Sequence, residues 1–190
     1  WHELRMVLDI PDITEVSRIY GGKNSRVFKV SAEKKYCVKL YADDKRCQKE
    51  FAALTFLSKH TEKVTKPIAV QSRLAIYNFI EGEHIQKITD ADIQEAVNFL
   101  IELQSLKSNA INCHPASEAS FSVEAIVKNI EQRANKLSEV NELKDFMTDF
   151  TEVFKNVTQW CKKECENSGI SFEKEITDSE RVISPSDFRF

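Results

Sequence analysis

The sequence predicts an α+β protein in which a β-rich first part, residues 1–82, is followed by a helical second part, residues 83–190. Three observations predict it. Apolar residues alternate with a period of two in the segments around Arg26–Ser31 and Tyr36–Tyr41, as in strands that bury one face. Beyond Ile88 the apolar period changes to 3.6 and stays there, as in amphipathic helices. Between the two regimes, hydrophobic and charged shares of 42% and 30% provide enough apolar side chains for a folded core.

Residues 1–20 mix apolar and polar positions around Pro11, which predicts a short helix or irregular lead-in and then a strand near Glu15–Tyr20. Gly21 and Gly22 follow, with Asn24 and Ser25 close behind. Glycines there let main-chain N–H groups approach an anion with no Cβ in the way. On its own such a pair more often marks an ordinary turn. In the next strand Arg26, Phe28 and Val30 share one face, and Val27, Lys29 and Ser31 the other. After a turn at Glu33-Lys34, Tyr36, Val38 and Leu40 face one way while Cys37, Lys39 and Tyr41 face the other. Lys39 therefore lies between hydrophobic neighbours on a half-buried strand, and a buried ammonium requires an anion.

Asp43 to His60 carries Cys47, Phe51, Leu54 and Leu57 or Ser58 at helical spacing, with Asp43 or Asp44 suited to start the helix. Glu50 falls at the edge of that stripe, where its carboxylate can meet Lys39; alone, it would read as a solvated glutamate. Lys66–Val70 and Leu74–Glu81 are two more strands joined by the polar turn Gln71-Ser72-Arg73. The helical part opens with a capping-box pattern at Thr89 and Asp92, and its first helix runs to Lys107 with Ile93, Val97, Leu100 and Leu103 or Gln104 inward. Residues 108–120 contain Pro115 and read as a loop. Ser122–Leu137 predicts a second helix with Val123, Ile126, Val127, Ile130, Ala134 and Leu137 inward. Asn141–Asn167 predicts a third, striped by Leu143, Phe146, Met147, Phe150, Phe154, Val157 and Cys161 and stopped at Gly169. Val182 and Ile183 suggest a short buried strand before Ser184-Pro185-Ser186 bends the chain into Asp187.

Glycine turn, strand, lysine strand and helix glutamate, in that order, resemble the small lobe of kinase-like folds, and most closely the aminoglycoside phosphotransferase and choline kinase family. The motif is Gly21-Gly22-Lys23-Asn24-Ser25-Arg26-Val27-Phe28, and the likeness runs in order along nearly the whole chain. The resemblance implies two lobes, an antiparallel β-rich N-lobe with one helix and an incomplete helical C-lobe. It implies ATP and Mg2+ as cofactors and the hydroxyl of a small polar metabolite, such as an amino sugar, aminoglycoside or choline-like alcohol, as acceptor. By the same resemblance, the loop Gly21–Ser25 would cover the phosphates and Lys39, fixed by Glu50, would hold them. Ile76–Glu83 resembles the inter-lobe connector, so the Asn78 carbonyl and the Ile80 N–H would take the adenine edge. Arg181–Phe190, RVISPSDFRF, resembles a catalytic-loop variant reading SPSDFGFHN, which maps Asp187 onto the catalytic base. Arg189 departs from the glycine of that variant. The family's metal-binding asparagine and later aspartate are expected beyond Phe190, so no metal ligand is assigned within these residues and the fragment is expected not to turn over efficiently.

The net charge of −3, without a basic run or basic-aromatic stripe, argues against nucleic acid as the main partner. No segment of about eighteen apolar residues or signal peptide occurs, and the five scattered cysteines suit a reducing cytoplasm. Cys161 and Cys165 lack the further ligands of a zinc site, and His2, His60, His84 and His114 are isolated. Two other readings stay open from the residues alone. One is a catalytically inactive nucleotide-binding or scaffolding relative; the other is a helical interaction module joined to an unrelated β-domain.

Overall fold

The computed structural model describes residues 12–20, 25–82, 85–110, 113–116 and 119–183. Strands β1 (Glu15–Ile19), β2 (Ser25–Ser31) and β3 (Lys35–Tyr41) are followed by helix α1 (Asp44–Leu57) and by strands β4 (Pro67–Gln71) and β5 (Leu74–Asn78). Helices α2 (Asp90–Ser105), α3 (Val123–Ser138) and α4 (Lys144–Asn167) complete the described elements, with single 3-10 turns at Lys107–Asn109 and Asn141–Leu143. The architecture is α+β, an antiparallel β-rich segment followed by helices.

The five strands form one antiparallel sheet in the order β1-β2-β3-β5-β4. Short connections put β1, β2 and β3 side by side, and the α1 crossover lets the β4–β5 hairpin add to the free edge of β3. The hairpin turn is two residues long, and Ser72 takes a left-handed φ of 51° there, a value that two-residue hairpins demand of one central residue at least. The Arg73 carbonyl accepts from the Tyr41 N–H at 2.8 Å, so the turn is also tied to the end of β3.

Alternation along the strands separates two apolar clusters. On one face Val30, Val38 and Ile76 are fully buried, with Ile13, Val16, Phe28, Tyr36 and Leu74 packed around them. On the other face Tyr41, Ala75 and Tyr77 meet Cys47 of α1, with Cys37, Phe51, Leu54 and Val70 alongside. Each buried aliphatic or aromatic side chain contributes about 1.5–3 kcal/mol by leaving water. The face assignments expected for β2 and β3 and the stripe expected for α1 are those observed. Helix α1 starts where the Asp43 carboxylate accepts from the Lys45 N–H at 2.7 Å.

The described residues group into two compact units. One contains those up to Ala116 together with Ile183, and the other runs from residue 119 to Val182. Strand gives way to helix between Asn78 and Asp90, and α2 belongs with the sheet-bearing unit. Thr89 and Asp92 form the expected capping box at the start of α2. Its buried stripe is rotated from the expected one: Ile93 is 48% exposed, whereas Leu103 is 1% exposed and Ala96 and Phe99 are half-buried. A polar anchor explains the rotation. The Glu102 carboxylate pairs with Lys63 at 3.3 Å and accepts from the buried Thr61 hydroxyl, which lowers its pKa; turning Glu102 toward the α1–β4 loop turns Ile93 and Val97 away.

In the second unit, Ser122 caps α3 by accepting from the Ala125 N–H at 3.0 Å. Met147 and Cys165 are the buried positions of α4, with Leu143, Phe150, Phe154 and Cys161 partly buried on the same stripe. Phe146 and Val157, expected on that stripe, are exposed. Helix α4 ends at Ser168, and Gly169 follows with φ +66°. The Ile170 N–H reaches the Cys165 carbonyl at 2.8 Å and the Gly169 N–H that of Glu166 at 3.1 Å, the paired bonds of a Schellman motif. The strand expected at Val182–Ile183 does not form. Val182 is 65% exposed; the segment approaching it is organised by Arg181, which lies over the Phe121 ring at 4.0 Å and pairs with Glu175 and Asp178 at 3.1 and 3.0 Å.

Candidate active site

Lys39 is central in β3, and β3 is central in the sheet. Its backbone is flanked by Val27 of β2 and Ala75 of β5. Odd-numbered positions of β3 face α1, so the Lys39 side chain leaves the sheet on the helix side with Cys37 and Tyr41. On α1, Cys47 and Phe51 seat the helix on that face, and Glu50, beside Phe51, comes to the edge of the contact. The Lys39 ammonium donates to the Glu50 carboxylate at 2.7 Å, with the two side chains 23% and 32% exposed. The contact joins two groups 11 residues apart, of which helical spacing puts Glu50 at the edge of the α1 stripe, where a carboxylate can meet Lys39.

Buried phenols and a buried thiol lie on the same face of the sheet as the pair. Lys39 Nζ lies 4.8 Å from the centroid of the Tyr41 ring, a favourable place for a cation. The Tyr41 and Tyr77 hydroxyls are buried and hydrogen-bonded to each other at 2.9 Å. Burial raises the pKa of both tyrosines and of Cys37, and pushes Cys47 up to about 11. The negative charge of Glu50 adds to the rise in all four, while Lys39 opposes it at the two cysteines. These thiols and phenols consequently stay protonated at neutral pH beside the charged Lys39–Glu50 pair.

Ser25 begins β2 opposite Tyr41 and, by register, is on the same face as Lys39. Past the far end of β5 the chain continues through residues 79–82. The Asn78 main chain is engaged toward the β4 side: its N–H donates to the Lys66 carbonyl at 2.9 Å and its carbonyl accepts from Thr65 Oγ1 at 2.6 Å. The Phe79 N–H donates to the Lys35 carbonyl at 3.2 Å. Ile80 is exposed, and its N–H has no partner among the described residues. Glu81 is held by Lys35 and, at 3.4 Å, by Lys29, whose ammonium also lies 4.6 Å from the Phe79 ring centroid. The hydrogen bond from Lys35 and the nearby Lys29 charge hold the Glu81 carboxyl below its usual pKa.

Sequence reasoning missed this clamp on Glu81 and missed the tyrosine pair. Tyr41 was legible as lying on the Lys39 face; the places of Lys29, Glu81 and Tyr77 depend on the pairing of β3 with β2 and β5, which no local spacing reveals. Gly21, Gly22, Asn24 and Asp187 lie outside the described residues. Among the described residues, no group of three or more His, Cys, Asp or Glu side chains is arranged to hold a metal ion, and no helix is long and apolar enough to cross a membrane.

No protein-family model and no curated protein matches this chain. Solved structures do. A streptomycin–ATP–APH(2'')-IIa ternary complex matches with a TM-score of 0.59 at 18% identity, over 83% of this chain and 56% of that one. ADP-bound aminoglycoside phosphotransferase APH(2'')-Ib matches with 0.54 at 18% identity, over 83% and 57%. This chain has the kinase-like fold of the aminoglycoside phosphotransferases. A GDP and kanamycin complex of APH(2'')-IIia, with a TM-score of 0.52 at 15% identity over 76% and 55%, has it too. The chain spans a little over half the length of these structures. Within the aminoglycoside phosphotransferase fold, the lysine strand and the helix glutamate of this sequence form an ion pair.

Proposed function

We propose that this chain carries the nucleotide-holding part of an ATP-dependent phosphotransferase acting on the hydroxyl of a small polar metabolite, in the chemical range of aminoglycosides, amino sugars and choline-like alcohols. The Lys39–Glu50 contact at 2.7 Å carries the reading. A lysine fixed by a carboxylate on a rigid central strand presents a stationary positive charge, and phosphoryl transfer depends on positioning the phosphates and neutralising their charge. Gly21, Gly22, Asn24 and Ser25 would cover the phosphates that Lys39 holds, and residues 1–82 and 83–190 would serve as the two lobes. The Ile80 N–H would donate to the adenine edge, and the Asn78 carbonyl would accept with the lone pair that Thr65 leaves free. Asp187 would take the acceptor proton. Magnesium, bound with the nucleotide, would add charge neutralisation at the phosphates.

Titrating the chain with ADP by calorimetry tests the proposal. Lys39→Ala removes a charge-assisted contact and should weaken ADP binding by about 10- to 100-fold. ATP should also protect Lys39 from acylation by an amine reagent. Unchanged acylation of Lys39 at saturating ATP, or equal ADP affinity in the Lys39→Ala variant, would overturn the reading.

A further inference from the structure

Residues 79–82 leave β5 with one open position tied down on both sides. The Phe79 N–H donates to the Lys35 carbonyl at 3.2 Å, and the Phe79 ring centroid lies 4.6 Å from the Lys29 ammonium. Two residues on, the Glu81 carboxylate accepts from the same two lysines, from Lys35 and, at 3.4 Å, from Lys29. Between them Ile80 is 59% exposed, and its N–H has no partner among the described residues. Both neighbours of Ile80 are thus held to β2 and β3 while its own donor is left open.

The register of the sheet explains why one carboxylate bridges the two lysines. Lys29 pairs with Cys37, and Lys35 precedes Cys37 by two residues on the same strand, so both side chains leave the sheet on the Lys39 face. Diagonal neighbours of an antiparallel pair lie about 7–8 Å apart, close enough for two ammoniums to repel one another. A carboxylate shared between them offsets that repulsion. Strand β5 brings one there, because Tyr77 pairs with Cys37 from the other side of β3 and the chain reaches Glu81 soon after. The side chains of Lys35 and Glu81 are more than half exposed, so each ion pair by itself is weak. What fixes residues 79–81 is that the contacts of Phe79 and of Glu81 close on the same two lysines.

We propose that Glu81, held between Lys29 and Lys35, is a positioning residue: it keeps residues 79–81 in the arrangement that presents the Ile80 N–H to the base edge of a bound nucleotide. The ligand in this statement rests on the nucleotide reading above; the clamp rests on the contacts of Phe79 and Glu81. A donor whose neighbours are already fixed loses little freedom when a base arrives, and the affinity for the base rises accordingly. Lys39 has a carboxylate of its own in Glu50, so phosphate binding does not run through Glu81.

The test separates base from phosphate. Glu81→Gln keeps the size of the side chain and removes its charge; adenosine affinity, measured by calorimetry, should fall about two- to fivefold, the range of a partly exposed ion pair. Tripolyphosphate affinity should not fall, since a negative charge has been removed. Lys35→Met should weaken adenosine binding less, with Lys29 still on Glu81, and should cost nothing further when added to Glu81→Gln. Without any ligand, hydrogen exchange at the Phe79 amide, which is bonded to the Lys35 carbonyl, should be about threefold or more faster in Glu81→Gln. Wild-type adenosine affinity in Glu81→Gln, a matching loss of tripolyphosphate affinity, additivity with Lys35→Met, or an unchanged Phe79 amide would overturn the proposal. Should wild type bind no adenosine, the nucleotide reading fails at the base, and the Phe79 amide by itself decides the clamp: faster exchange in Glu81→Gln upholds it, unchanged exchange refutes it.

Discussion

Cys47 shows how strongly single positions on the helix side of the sheet are constrained. It is fully buried between α1 and the sheet, and burial, with Asp44 and Glu50 nearby, pushes its thiol up to about 11. A raised pKa favours the protonated form in the folded chain, so the corresponding stability is complete below the ordinary thiol value of 9.0 and is lost as pH climbs through about 11. Denaturant titrations between pH 8 and 11 should show wild type losing stability relative to Cys47→Ala across that window. A constant difference between the two proteins would contradict the assignment. At this scale the sequence was informative wherever one local period sufficed: Lys39 and Glu50 each fall on a predictable face, and facing surfaces do the rest. Tyr77 was opaque because its meeting with Tyr41 needs the pairing of strands separated by a helix and a hairpin.

Elements were legible from their ends more than from their sides. Asp43, Thr89 and Ser122 sit where side-chain oxygens accept from the first orphan N–H groups of their helices, and Gly169 sits where α4 turns left-handed. Ser122→Ala should lower the unfolding free energy of the second unit by about 1 kcal/mol, read as a downward shift of its denaturant midpoint. Gly169→Ala meets no steric obstacle, since nothing lies within 4 Å of the added Cβ. Its cost is the left-handed backbone itself, about 1–2 kcal/mol, and Gly169→Asn should recover part of it. An alanine variant as stable as wild type would mean the helix ends differently. The faces of α2 were harder to read because apolar periodicity names the candidates for burial without saying which polar contact sets the rotation. Val182 and Ile183 show the same limit: two β-branched residues predict a strand only if another strand has an edge to offer, and here Arg181 organises the approach instead.

At the scale of the molecule, two compact units need not melt as one, so a single unfolding temperature is not assured. A ligand of the folded sheet unit at 100 times its Kd stabilises that unit by about 2.7 kcal/mol. ADP should therefore raise the transition that reports strands β2, β3 and β5, with Lys39→Ala abolishing most of the shift; hydrogen exchange at amides of residues 25–41 and 74–78 reads it directly. An ADP-insensitive transition in wild type would argue against the nucleotide reading.

The overall class, sheet then helices, was visible from the change of period near residue 88, because a period is a property of one segment. The division after Ala116 was not, because it depends on which helix leans on which neighbour. The strand order β1-β2-β3-β5-β4 has one more effect. A ladder on both sides of Lys39 leaves its main chain the last part of the sheet to fray, so an anion binding there as proposed would give up little of its affinity to ordering the strand.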